Sequence, residues 1–90
     1  MDRIVRIMVS GKVQGVYFRK YSVQEACRLK LKGWVKNQAD GSVLIEARGE
    51  PEDIEAFIKW CHLGSPASKV NSVTVEDIDQ LVCLKFGIRY

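Results

Sequence analysis

The chain has 90 residues, a formal net charge of +3 from Lys+Arg 14 against Asp+Glu 11, and a hydrophobic content of 47%. That length suits one domain with one core, and the composition excludes a disordered or low-complexity chain. No apolar run approaches the roughly 20 residues that span a bilayer, so no membrane association is expected. Met1-Asp2-Arg3 leads into a strand rather than a signal peptide, which makes the cytoplasm the expected location.

In chain order, Val5, Ile7 and Val9 alternate with Arg6, Met8 and Ser10, the pattern of a strand with one buried face over residues 4–10. Gly11-Lys12-Val13-Gln14-Gly15-Val16-Tyr17 then reads as a short loop. Phe18, Ser22, Ala26 and Leu29 recur at helical spacing to about Leu31, with Gly33 placed to end the helix. Trp34 to Ala39 forms a second strand, and Asp40-Gly41 is a two-residue hairpin signal before Ser42 to Arg48.

Pro51, followed by Glu52 and Asp53, opens a second helix in which Ile54, Phe57, Ile58 and Cys61 share one face. Gly64-Ser65-Pro66 ends it. Two strands follow, 70–78 with Val73 and Val75 inward, and 83–88 with Leu84, Phe86 and Ile88 inward, the last able to pair at a sheet edge. The order predicts an α+β, ferredoxin-like βαββαβ fold, an antiparallel sheet with two helices on one face. Its expected core is Val5, Ile7, Val9, Ala26, Leu29, Val43, Ile45, Ile54, Phe57 and Ile58.

Several chemistries lack their residues. Cys27, Cys61 and Cys83 are odd in number and widely spaced, which reads as structural thiols, with a disulfide between two of them as the alternative. The single histidine, His62, cannot assemble a nucleophilic triad, and its plain reading is a cation at a helix C-terminus. Glu50, Glu52 and Asp53, and Glu76, Asp77 and Asp79, read as a helix start and a solvated strand end rather than metal sites. An enzyme of this sequence would work without a side-chain nucleophile, a metal or a cofactor. Basic residues are scattered, and Arg6, Met8 and Glu46 on the helix-free face offer no stacking aromatics, so nucleic acid is not the expected partner.

What remains is the loop from Gly11 to Arg19 between a buried strand and a helix start. Such a turn can aim successive backbone N–H groups at an anion, and Arg19 adds a planar fork of donors. It matches neither the dinucleotide fingerprint nor a Walker A loop, and on its own a plain connecting loop is the competing reading. Lys12 could steer anions or be an ordinary exposed lysine. Tyr17 could shield the cradle or cover a sheet edge.

Gly11-x-Val13-Gln14-Gly15-Val16-x-Phe18-Arg19 resembles the first signature of the acylphosphatases. Gly33-Trp34-Val35-Lys36-Asn37, three residues, Gly41-x-Val43, five residues, Gly49 resembles the second. Ser65 between Gly64 and Pro66 is the one difference noted, placed on a surface loop away from the chemistry. The resemblance covers essentially the whole chain and implies a single domain over residues 1–90. It further implies hydrolysis of acyl phosphates to carboxylate and inorganic phosphate. Arg19 and the loop amides of Gly15, Val16, Tyr17 and Phe18 would bind the phosphoryl group, and Asn37 would orient the attacking water. The substrate would be a small acyl phosphate, and inorganic phosphate would be both product and competitive ligand. The protein would be a monomer. The alternative is a non-catalytic module that binds phosphate or acyl phosphate, for which Asn37 would be superfluous.

Overall fold

The computed structural model describes residues 1–90. Its elements are β1 (Arg3–Lys12), α1 (Phe18–Arg28), β2 (Lys32–Asn37), β3 (Val43–Gly49), α2 (Pro51–Leu63), β4 (Lys69–Asp77) and β5 (Phe86–Arg89). The strands form one sheet in the order β4-β1-β3-β2-β5. Its first four members pair antiparallel, the two βαβ units interleaving as the ferredoxin-like pattern requires. β5 differs. It adds to the free edge of β2 in parallel, with Gly33 opposite Phe86 and Val35 opposite Ile88, so the complete sheet is mixed.

Alternation along β1 and β3 turns Val5, Ile7, Val9, Val43, Ile45 and Ala47 to one face, where all are fully buried. Both helices cover that face: the ring of Trp60 lies 5.2 Å from Phe18 and 6.0 Å from Phe57, and Phe57 meets Phe86 edge-on at 5.9 Å. Leu29 and Ile58, expected inside, are partly buried at the rim, while Leu31 and Val35 belong to the core. Truncating a fully enclosed ring such as Phe57 costs about 3–5 kcal/mol.

Local expectations shift in four places. The first helix stops at Arg28, and Lys30 takes the left-handed turn with φ 59°. Gly33 therefore does not cap it. Gly33 lies inside β2 with φ 148°, where a Cβ would fall on the Glu46 carbonyl oxygen. The turn between β2 and β3 is wider than two residues. Gln38 N–H donates to the Ser42 carbonyl at 2.8 Å and Gly41 N–H to the Gln38 carbonyl at 3.1 Å, while the Asp40 carboxylate accepts from Ser42 N–H and Oγ at 2.9 and 2.6 Å. The Ser42 hydroxyl, then its amide, holds the Asp40 carboxyl below its usual value. Finally, Val75 on edge strand β4 is exposed, and Leu84, at 93% exposure, precedes β5 rather than pointing inward. The β4–β5 connection has to pass from one sheet edge to the other, and only its Leu81 is buried.

All three cysteines are free. Cys61 is enclosed in the core, and that burial pushes its thiol well above the ordinary range, which removes the reactive thiolate at neutral pH. Titration of the native protein with a disulfide reagent at pH 8 should modify exposed Cys27 and leave Cys61 untouched until urea unfolds the chain.

Candidate active site

The head of α1 is built without a cap. Tyr17 at the N-cap position has φ 61° and ψ 22°, no side chain caps the first turn, and no acid stands in it. Gly15 also has positive φ, 74°, so left-handed residues alternate through Gly15-Val16-Tyr17 and turn the peptide planes. The backbone N–H groups of Gly15 through Lys20 consequently have no protein acceptor; the first helical bond runs from Tyr21 N–H to the Tyr17 carbonyl at 3.0 Å. Donors so concentrated at a positive helix end suit an anion.

Around them lies a shallow depression lined by Gly15, Tyr17, Arg19, Lys20 and Ile88. Neither Arg19 nor Lys20 is within 4.0 Å of a carboxylate, although Arg3, Arg6, Arg28 and Arg48 all are. Two cations with no anionic partner thus face the donor cluster. The Tyr90 ring, directly after β5, lies 5.1 Å from the Arg19 guanidinium carbon, a cation–π contact that limits where the fork can swing. The side chains of Val16 and Phe18 point the other way, into the core, and leave only their amides on the cradle.

Asn37 is the last residue of β2, opposite Val43, on the helix-covered face. It is not in the lining of the depression, but the topology sets it at the same end of the sheet. Gln14 makes the connection: its side-chain N–H groups donate to the carbonyls of Gln38 and Ser42 at 2.8 and 2.9 Å, tying the base of the loop to the turn that begins after Asn37. The Asn37 Oδ1 is buried without a hydrogen-bond partner, as is Gln38 Nε2.

Sequence reasoning singled out Gly15, Val16, Tyr17, Phe18, Arg19 and Asn37, and the structure gathers all of them at one end of the molecule. It missed Lys20, Ile88 and Tyr90. Lys20 lies one residue beyond the motif, and the other two depend on where β5 pairs.

The acylphosphatase family model matches residues 5–87, nearly the whole chain. The chain belongs to the acylphosphatase family. An acylphosphatase of Rhizorhabdus wittichii is 51% identical over 86 residues, 94% of this chain and 87% of that one. The crystal structure of the acylphosphatase from Bacillus subtilis superposes with a TM-score of 0.94 at 42% identity, covering 100% of both chains. An acylphosphatase structure from Coxiella burnetii gives 0.94 at 38% identity, covering 98% and 93%.

Gln14→Ala removes both ties between the loop and the β2–β3 turn. It should lower stability to urea by about 1–2 kcal/mol without changing the dependence on denaturant concentration.

Proposed function

We propose that the cradle at the head of α1 is the catalytic site of this acylphosphatase-family enzyme, with Arg19 and Asn37 as its catalytic residues. The chain is a hydrolase of acyl phosphates, which it splits into carboxylate and inorganic phosphate. The observation that carries the site is the row of acceptor-less N–H groups from Gly15 onward beside an unpaired Arg19.

An acyl phosphate is a mixed anhydride whose leaving group is a carboxylate, with a conjugate-acid pKa of about 4. Such a group departs without a general acid. Phosphoryl transfer passes through a loose, in-line transition state, so positioning and charge stabilisation are most of what the protein must supply. The amides of Gly15, Val16, Tyr17 and Phe18 and the Arg19 fork hold the phosphoryl oxygens. Lys20 adds positive charge without direct contact. The Asn37 side-chain amide, at the same end of the sheet, sets the attacking water in line with the scissile P–O bond. The water's proton passes to a phosphoryl oxygen of the substrate. No titratable protein side chain is needed.

The purely binding module is the second reading, and Asn37 argues against it, because binding phosphate needs no water-orienting amide. A nucleic-acid partner finds no platform on the helix-free face: Arg6 is held by Glu46 and Glu76 at 2.8 and 3.1 Å, and Trp34, 8% exposed, is covered by Arg89 at 4.6 Å. No helix is long and apolar enough to cross a membrane. The proposal is completed by residues 1–90 acting as one domain and as a monomer in the cytoplasm, which suits a site built from one copy of the chain.

Hydrolysis of benzoyl phosphate, followed by ultraviolet absorbance in EDTA, tests the assignment. Asn37→Ala should lower kcat on the order of a hundredfold with phosphate inhibition retained. Near-native turnover would remove Asn37 from the mechanism. Arg19→Gln should lose both turnover and phosphate competition. Arg19→Lys should fail as well, since an ammonium lacks the two-pronged geometry; native activity in that variant would reduce Arg19 to a general charge.

A further inference from the structure

The sequence placed Ser65 on a surface loop remote from the chemistry, and the structure places it elsewhere. Ser65 is 3% exposed, and its Oγ donates to the carbonyl of Val16 at 2.8 Å, across 49 positions of sequence. Val16 is part of the cradle, and its carbonyl takes no helical hydrogen bond, since the first one, from Tyr21 N–H, goes to the Tyr17 carbonyl.

We propose that Ser65 is a positioning residue for acyl phosphate hydrolysis, orienting the Tyr17 N–H by anchoring the carbonyl of the same peptide unit. In a trans peptide the C=O and N–H point in opposite directions, and the chain has no cis bonds. Drawing the Val16 oxygen toward buried Ser65 turns the Tyr17 hydrogen outward, to the side where Gly15, Tyr17 and Arg19 line the depression. Without the anchor this peptide can rotate and present its oxygen, a repulsive dipole, to the phosphoryl group. Tyr17 itself has left-handed φ, a conformation a bulky residue keeps only when its surroundings enforce it.

Ser65 is in turn held firmly. Its carbonyl accepts from Ser68 N–H and Oγ at 3.0 and 2.7 Å. Gly64, with φ 76°, ends α2 and packs so closely that a Cβ there would crowd Ser68 and Val70 and touch the Phe18 ring. The end of α2 is thereby coupled to the start of α1 through a hydroxyl and a glycine.

The inference rests on the reading that the loop amides bind phosphate, and one experiment separates the two. Inorganic phosphate is titrated into 15N-labelled wild type, Ser65→Ala, Ser65→Thr and Ser68→Ala, with benzoyl phosphate kinetics and urea unfolding run alongside. In the wild type the amides of Gly15 to Phe18 should shift. In Ser65→Ala the Tyr17 shift should be lost, phosphate affinity should fall about tenfold and kcat should fall with it. Ser65→Thr keeps the hydroxyl and should recover most of this, and Ser68→Ala should lose stability but not phosphate affinity. If Ser65→Ala does not fold, Ser65→Cys, with its weak thiol donor, carries the same expectation. A variant that loses only stability, with the Tyr17 shift and the affinity intact, would overturn the positioning role. Loop amides that do not respond in the wild type would overturn the cradle itself, and Ser65's role with it.

Discussion

The structure turns on a group of backbone donors that the fold leaves without acceptors. From Gly15 to Lys20 no N–H reaches a carbonyl or side chain of the protein, and the helix behind them carries neither a capping side chain nor an acid in its first turn. Most helices satisfy these positions locally, with Ser, Thr, Asp or Asn at the N-cap. Here Tyr17 occupies that place in a left-handed conformation. The molecule keeps unpaired donors at its helix head, at a cost in stability that the rest of the fold has to offset.

The offset comes from four directions. The side chains of Val16 and Phe18 enter the core, so the loop is anchored at alternate residues while its amides face outward. Gln14 ties its base to the β2–β3 turn, and Ser65 holds its middle from the end of α2. β5 closes the fourth side, where its parallel pairing with β2 carries Ile88 to the depression and Tyr90 to the Arg19 guanidinium. A site that relies on fixed donors rather than on a nucleophile needs this rigidity, because an oriented dipole stabilises developing charge only if it does not have to reorganise. The ion pairs on the helix-free face are exposed and contribute little by comparison.

Much of this was legible in the residues. Alternation located β1 and β3, and the i, i+3, i+4, i+7 stripe located α2, because each pattern reports a single buried face. The two signatures located the loop and Asn37, because short sequence distances determine loop geometry. Less local features were not legible. Gly33 looked like a helix cap, since a glycine after a helical stretch usually is one; its role in β2 depends on how close the Glu46 carbonyl comes, and Glu46 belongs to another strand. Asp40-Gly41 suggested a tight hairpin, but the Asp40 contacts with Ser42 draw the turn out to five residues between Asn37 and Val43.

By itself the sequence determined the α+β element order, the apolar faces, the family and the residues proposed to meet an anion, since all of these are written in local spacing and residue type. Only the tertiary structure decided that Ser65 lies under the cradle, that β5 runs parallel to β2 and that Tyr90 rests on Arg19. Each of those joins segments far apart in the chain, and their proximity follows from how the helices pack on the sheet, a property that no single window of sequence contains.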